Sequence, residues 1–566
     1  MDYKAEFNRW LEKANEELKI ELRAMDEATI EDVFYRDLAF GTGGLRGIIG
    51  AGTNRMNVHV VAKASQGLSR YLLDTDEKPS VVIGYDSRNK SDVFAKVASG
   101  VFAANGVKVH IWPELLPVPT VSYAVRYLHA SAGVMITASH NPSKYNGYKV
   151  YGPDGCQITI EAASAILAQI DALDIFADVR TSSFEDGVKA GKIDYIDPAV
   201  LDAFIAEVKG QSVLFGENVD KNVSIVYSPL NGTGLKPVTR VLEESGYTSI
   251  TVVEEQRLPD GNFPTCPYPN PEIREAMELG LQYCERTGAD LLLATDPDCD
   301  RCGIAVRSTS GDYTLLSGNE VGLLLLDYIC SQRQKHGQMP THPVFIKTIV
   351  TMDLAEKIAE HYGVQTINVL TGFKFIGEQI GILEKNNQAS DYICGFEESY
   401  GYLTGSYVRD KDAVNAAFMI CEMFAYYRTR GISLLTRLQE IYDQYGYCLN
   451  TLHSYEFPGS SGMEKMQEIM SGFHKGVDQF AGMKVERVED YSKGLNGLPP
   501  SDVLKYYYSG TAVEGSVVDA AVEGSVVIRP SGTEPKLKAY ISVTAENKAT
   551  AETIEHNIVA DIEQRL

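Results

Sequence analysis

Three observations predict an α/β fold. Strand-like apolar runs alternate with amphipathic helical segments through most of the 566 residues. That length exceeds what one hydrophobic core serves, so roughly three to five domains are expected. The last part breaks the alternation. A helix near 462–481 leads into short strands, ending with Ser525–Ile528 and Leu537–Val543, and then a C-terminal helix, which reads as a smaller α+β domain.

The elements follow from the pattern. Ser80–Tyr85, Val107–Trp112, Gly133–Thr137, Val223–Tyr227, Leu291–Thr295, Val344–Lys347 and Tyr392–Gly395 are short apolar runs and read as strands. Segments 92–104, 160–172, 233–244, 272–287 and 319–333 between them carry helical periodicity. Such alternation predicts largely parallel sheets with helices on both faces. At the N-terminus, Phe7, Trp10, Leu11, Ala14, Leu18 and Leu22 recur at helical spacing, which predicts one amphipathic helix over 2–25 that packs on the body. Residues 256–272 are rich in proline and turn formers and read as a long ordered loop. The heptapeptide AVEGSVV occurs at 512–518 and again at 521–527, too short to be a solenoid unit.

Bulk composition narrows the function. Hydrophobic content of 44% and charged content of 23% are ordinary for a soluble protein. A net charge of -24 argues against nucleic acid or an anionic membrane as partner, but a local Arg and Lys cluster can still bind a small anion. Nine scattered cysteines read as a reducing compartment. Residues 2–25 do not read as a signal peptide, and no run is apolar enough to span a membrane, so a cytoplasmic location is expected.

Four polar loops follow strands, where α/β sheets bind ligands. The first is Thr137-Ala138-Ser139-His140-Asn141-Pro142, continuing past a turn-forming Asn146-Gly147 to Lys149. A serine hydroxyl needs a base or metal to act as nucleophile, and His140 and Lys149 could supply proton transfer. An ordinary capped loop is equally consistent with these residues alone, and G-x-S-x-G is absent. The second is Asp296-Pro297-Asp298-Cys299-Asp300-Arg301. Three carboxylates at alternate positions repel unless a cation joins them, and all-oxygen ligands suit Mg²⁺ or Ca²⁺. An EF-hand fails because Arg301 and Arg307 occupy the positions that need Gly and Glu. With three carboxylates the site leaves room for water or a phosphate oxygen, as Mg²⁺ prefers. Cys299 and Cys302 then read as small filler rather than a redox pair.

The third loop, Gly395-Phe396-Glu397-Glu398-Ser399-Tyr400-Gly401, could hydrogen-bond vicinal sugar hydroxyls, act as acid and base, or be a solvated turn. Arg409 and Lys411 follow it and add positive charge. The fourth, Arg529-Pro530-Ser531-Gly532-Thr533, combines an Arg fork with hydroxyls and free amides suited to an anion, or is a polar turn between strands. Gly41–Gly47, ending near Arg46, is Gly-rich but is neither a Walker A loop nor a dinucleotide fingerprint. Thr371-Gly372-Phe373-Lys374 follows a strand at 365–370 and opens a helix, a favourable place for an anion.

Together, and in this order along nearly the whole chain, these loops resemble the α-D-phosphohexomutase superfamily of phosphoglucomutases and phosphomannomutases. The resemblance implies three related α/β/α domains plus a smaller C-terminal α+β domain around a central cleft: 1–207 with the phosphoserine loop, 208–316 with the metal loop, 317–440 with the sugar loop and 441–566 with the phosphate loop. It implies that Ser139 carries a phosphoryl group and that Asp296, Asp298 and Asp300, with Ser139, hold Mg²⁺. His140 and Lys149 would assist proton transfer, and Arg46 and Arg301 would support the reacting phosphate. Glu397 and Ser399 would grip sugar hydroxyls, with Thr371, Gly372, Phe373, Lys374, Lys347 and Lys411 around the substrate. Arg529, Ser531, Gly532 and Thr533 would hold the other phosphate. The implied reaction interconverts glucose 1-phosphate and glucose 6-phosphate through glucose 1,6-bisphosphate. Ribose or mannose phosphates are the alternative substrates, and a catalytically silent binding or scaffold relative is the alternative class. Partners are small sugar phosphates, and the chain is expected to be a monomer or dimer.

Overall fold

Ser80–Tyr85 and Leu291–Thr295 form as the sequence predicts, and they sit at the heart of two different sheets. The computed structural model describes residues 2–41, 43–457, 462–511, 521–531 and 536–566. The chain packs as two units. One comprises 1–316, 376–392 and 400–429; the other comprises 317–375, 393–399 and 430–566.

The first unit holds two sheets. In the seven-stranded sheet, Ala132–Ile136, Ser80–Tyr85, Lys108–Ile111 and Ile193–Tyr195 run parallel. Tyr145–Tyr151, Gly44–Ile48 and Phe40–Gly41 extend that sheet antiparallel. The five-stranded sheet repeats the plan. Leu291–Thr295, Ile225–Ser228 and Ile250–Val252 are parallel, while Cys302–Arg307 and Tyr313–Leu316 are antiparallel additions. The expectation of largely parallel sheets therefore holds for one side of each sheet, out to its edge strand, and not for the other. The reason is local: after Ile136 and after Thr295 the chain turns straight back as a hairpin instead of crossing through a helix.

That hairpin corrects the reading of Asn146-Gly147 as a turn. Both lie inside Tyr145–Tyr151, opposite Gly47 and Arg46. A Cβ at Gly147 would meet the Thr137 carbonyl oxygen at 2.5 Å and that of Leu45 at 2.8 Å, so glycine here serves close strand approach. Thr137 N–H donates to Gly147 O at 3.2 Å, which ties the mouth of the hairpin shut just before Ser139.

The N-terminal segment also differs from expectation. It forms three helices, Tyr3–Lys13, Glu16–Arg23 and Glu27–Phe34. Ala14 and Asn15 are extended and break the first run, and the Asp2 and Asp26 carboxylates cap the first and third helices. Burial is as predicted. Trp10 is fully buried and packs edge-on against Phe34, His59 and Phe176. The proline-rich 256–272 segment is a loop after the single turn Glu254–Arg257.

In the second unit, Val344–Thr348 pairs in parallel with Gln365–Val369 and has Tyr392–Phe396 on its other side. A separate antiparallel sheet runs in the order Tyr447–Glu456, Lys536–Ala545, Ala521–Pro530, Leu504–Thr511, Met483–Asp490 and Gln479–Phe480. Helices Gly462–His474 and Lys548–Glu563 bury Phe473 and Ile558 against it. The helix expected near 462–481 thus stops at His474, where Gly476 (φ 105°) redirects the chain. The second AVEGSVV copy lies in the strand Ala521–Pro530, and the first lies outside the described residues. Among the described residues, no helix is long and apolar enough to cross a membrane.

Candidate functional site

Within the first unit the two hairpin loops meet. Ser139 and Cys299 both adopt left-handed backbone, with φ of 52° and 54°. Each such non-glycine residue costs about 1–3 kcal/mol, and such strain concentrates at functional sites. The Ser139 hydroxyl lies 2.9 Å from Asp296 Oδ2 and 3.2 Å from His140 Nδ1. Register places Lys149 opposite Met135 and brings its Nζ to 2.8 Å from Asp298 Oδ2 and 3.3 Å from Asp300 Oδ2. Lys411 Nζ reaches Asp300 Oδ2 at 3.1 Å. Thr137 Oγ1 donates to Asp298 Oδ2 at 3.2 Å.

The three carboxylates divide their work. Asp296 Oδ1 accepts the backbone N–H groups of Asp300 and Arg301, each at 3.0 Å, and so holds its own loop in shape. Asp298 Oδ1 and Asp300 Oδ1 are buried and accept no hydrogen bond among the described residues. One ligand oxygen from each of the three can be chosen within 4.8 Å of the others. Burial first, then the charges of Asp298 and Asp300, push Asp296 well above the usual carboxylate range. Burial would raise Asp298 too, but Lys149 outweighs it and holds that carboxyl down. Orphaned oxygens and an acid destabilised by like charge are what an oxygen-liganded divalent cation relieves, so the residues fit Mg²⁺.

The flanking cations are disposed unequally. His140 is pushed down to about 2 by burial, then by Arg301 and Arg46, so its imidazole is neutral beside the serine. Burial alone would lower Lys149, but Asp298 and Asp300 hold it above the usual lysine value, so as placed it is an acid rather than a base. Arg301 extends away to Glu272 while its Nε stays 3.9 Å from Asp300 Oδ1. Arg46 is exposed and approaches Asn141 Oδ1 at 3.5 Å. Cys299 and Cys302 are fully buried beside the carboxylates, and burial raises both thiols, which suits filler and not redox chemistry. Arg409, expected to add charge near a ligand, is buried and bound to Glu384 at 2.7 Å.

The second unit gathers the other predicted residues. Glu397 is buried, and Glu398 Oε2 accepts from Thr348 and Thr351 at 3.3 and 3.4 Å. Tyr540, missed by sequence reasoning because it is one aromatic in a core strand, joins two loops. Burial pushes it up to about 12, the charge of Glu398 adds to the rise, and Arg529 opposes it. Ser399 is half-buried beyond them, and Ser531 N–H donates to Lys536 O at 2.7 Å. Gly532 and Thr533 lie outside the described residues. Gly372 (φ 117°) turns the chain from Gln365–Val369 into the helix Phe373–Lys385. Thr371 Oγ1 is buried there without a partner among the described residues, and the Lys374 ammonium lies 4.9 Å from the Phe375 ring centroid.

Lys347 departs from its expected place beside a substrate. Its side chain is fully buried and its Nζ is held by Thr351 O at 3.1 Å, Glu356 at 3.0 Å and Asp353 at 3.4 Å. A lysine committed to two acids inside the core has no charge left for a ligand.

Comparison with known proteins gives one result along the whole chain. Four family models match: phosphoglucomutase/phosphomannomutase alpha/beta/alpha domains I, II and III over residues 37–175, 202–311 and 317–445, and the C-terminal domain over 483–560. The phosphoglucomutase of Staphylococcus haemolyticus is 34% identical over 94% of this chain and 95% of its own. That of Staphylococcus saprophyticus is 35% identical over 95% of this chain and 96% of its own. Among solved structures, the Paramecium phosphoprotein parafusin, a phosphoglucomutase in its open form, aligns with a TM-score of 0.68 at 18% identity, covering 94% of this chain and 96% of that one. The Aspergillus fumigatus N-acetylphosphoglucosamine mutase, solved with GlcNAc-6P and magnesium, aligns with a TM-score of 0.51 at 13% identity, covering 94% and 96%. Three alpha/beta/alpha domains and a C-terminal domain, in the order of these models, make this chain a member of the phosphoglucomutase/phosphomannomutase family.

Proposed function

We propose that the chain is a phosphoglucomutase, interconverting glucose 1-phosphate and glucose 6-phosphate through a phosphoryl group carried on Ser139. One observation carries this reading: the Ser139 hydroxyl stands 2.9 Å from Asp296, at the edge of three buried carboxylates, two of whose oxygens accept no hydrogen bond among the described residues. The curated relatives, at about a third identity over nearly the full length, favour the glucose phosphates.

The residues have these parts. Ser139 gives its phosphoryl group to the free hydroxyl of a sugar monophosphate, making glucose 1,6-bisphosphate, and takes the other phosphate back after that intermediate turns around. Asp296, Asp298 and Asp300 would hold Mg²⁺, with Ser139 beside them; when bound, the ion offsets negative charge on the transferring oxygens. Ser139 Oγ gains a proton as the phosphoryl group leaves and gives one up when the phosphate returns, and His140, 3.2 Å from that oxygen, is the group placed to pass it. Lys149 donates hydrogen bonds as a cation, and Arg46 and Arg301 add positive charge at the mouth of the loop. Glu397 and Ser399 accept and donate to sugar hydroxyls, while Arg529, Ser531, Gly532 and Thr533 bind the phosphate that is not reacting. Thr371, Gly372, Phe373, Lys374 and Lys411 complete the substrate contacts.

The domain division 1–207, 208–316, 317–440 and 441–566 accompanies this proposal, supported by the order and extent of the family matches. Nine cysteines, all buried as thiols, support a reducing, cytoplasmic setting.

The test is a mass analysis for phosphate on Ser139, paired with an isomerisation assay on glucose 1-phosphate with catalytic glucose 1,6-bisphosphate and Mg²⁺. Ser139→Ala is expected to fold, to carry no phosphate on that peptide and to lose turnover. Wild-type-like turnover by the folded variant would sink the mechanism. Faster turnover on ribose or mannose phosphate would reassign the sugar.

A further inference from the structure

We propose that Arg88 is the positioning residue that holds the Ser139 loop in its reactive shape. This rests on the reading of Ser139 as phosphoryl carrier. The Arg88 side chain is fully buried. Its Nη1 donates to Pro142 O at 3.0 Å and Tyr145 O at 3.1 Å, and its Nη2 donates to Ser139 O and Asn141 O. Four carbonyls of one loop thus converge on one guanidinium.

The geometry needs arginine. Its planar fork presents donors in fixed directions, whereas a lysine ammonium offers three rotatable ones and could not span the four carbonyls. Ser139 at φ 52° is in the left-handed region, which a serine does not adopt without compensation. The carbonyls of Ser139 and Asn141, both bound to the same nitrogen, supply that compensation. Without it, the loop relaxes and the hydroxyl leaves Asp296.

A buried guanidinium needs its own partners. Asp86 Oδ2 lies 3.4 Å from Arg88 Nε, with both side chains fully buried. Asp86 Oδ1 is fixed by Arg88 N–H at 2.9 Å and Ser91 Oγ at 2.7 Å, and Asp86 N–H donates to Ile136 O at 3.1 Å. The other face of the guanidinium covers Phe263, 5.1 Å from the ring centroid. Phe263 comes from the proline-rich loop, whose Gly261 O and Asn262 side chain receive the Asn89 amide at 3.4 and 3.0 Å. The proline-rich segment thus supports Arg88 from behind.

Arg88→Lys in the full chain with Mg²⁺ tests the proposal. The expected result is a kcat about 10²-fold lower with KM within about twofold, and a melting temperature below wild type because buried carbonyls lose their donor. Hydrogen exchange of amides 139–146 is expected to accelerate while other segments keep wild-type protection. A folded Arg88→Lys with wild-type kcat and wild-type exchange over 139–146 would overturn it. If Arg88→Lys does not fold, Phe263→Leu decides, because it keeps the guanidinium and removes the ring. Faster exchange confined to 139–146 supports the role, and unchanged exchange overturns it. Should the wild type show no isomerase activity, the proposed function fails separately, since the exchange measurement does not depend on turnover.

Discussion

Each unit buries a cluster of acids with lysines, and the two clusters end differently. Around Asp353 the charges close on themselves. Lys505 Nζ donates to Asp353 Oδ1 at 2.7 Å and to Ile349 O at 2.9 Å, Ser525 donates to Asp353 Oδ2 at 2.6 Å, and Lys347 bridges Asp353 and Glu356. Around Asp298, by contrast, Lys149 and Lys411 satisfy one oxygen of each acid, and Asp298 Oδ1 and Asp300 Oδ1 accept no hydrogen bond among the described residues. Backbone strain follows the same division. Ser139 and Cys299 are left-handed beside the open cluster, whereas no residue from 344 to 356 has a positive φ. A closed cluster stabilises its unit, and an open one keeps binding capacity in reserve.

Removing a member of the closed cluster should cost the most. Asp353→Ala leaves Lys505 and Lys347 buried without their shared acid, and breaking such a pair costs about 3–5 kcal/mol. Urea denaturation of the full chain should show that loss, with turnover per folded molecule retained. A loss under about 1 kcal/mol would remove the distinction between the clusters.

The open cluster should answer the opposite way. Asp298→Asn keeps the shape and removes one ligand charge. Turnover is expected to fall about 10²–10³-fold, the range seen when one electrostatic stabiliser is deleted, while the denaturation midpoint stays near wild type. A large destabilisation with little loss of turnover would make this cluster structural.

Why one cluster was visible in the sequence and the other was not follows from distance along the chain. Asp296, Asp298 and Asp300 alternate within a single loop after an apolar strand, so local repulsion alone signals a cation. Lys347 entered only through the family resemblance; Asp353 and Glu356 announce no role in the sequence, and Lys505, which completes the group, comes from the far C-terminal sheet. Asn146-Gly147 misled for the same reason. As a dipeptide it favours a turn, and only packing against Thr137 O and Leu45 O shows why glycine is needed. Arg88 did leave a trace, Asp86-Ser87-Arg88 directly after the strand Ser80–Tyr85, but its targets are backbone carbonyls, which carry no sequence signature. The strands themselves were legible, since each is a short apolar run; their antiparallel neighbours were not, because Tyr145–Tyr151 mixes polar and aromatic residues.

Magnesium should sharpen the contrast on the stability side. A ligand that binds only the folded state stabilises by about 2.7 kcal/mol at a hundred times its Kd. Saturating Mg²⁺ is expected to raise the melting temperature of the wild type and of Asp353→Asn alike, and to leave Asp298→Asn unmoved. An equal rise in Asp298→Asn would place the ion elsewhere.

The smallest expected effect is the pH dependence. Burial alone would raise Asp353, but Lys505 and then Lys347 outweigh it and hold the acid below its ordinary value; Glu356 is held down by Lys347 in the same way. A depressed folded-state pKa gives stability that is fully present above the unfolded value, about 4, and that is lost as pH falls through the folded value. Each such group adds up to about 1.4 kcal/mol per pH unit in that window. Stability measured from pH 6 down to pH 3 should therefore fall less steeply in Asp353→Asn than in wild type, whatever the offset between the two curves. Equal slopes would mean that Asp353 titrates alike in the folded and unfolded chain, and the closed cluster would then contribute packing without charge stabilisation.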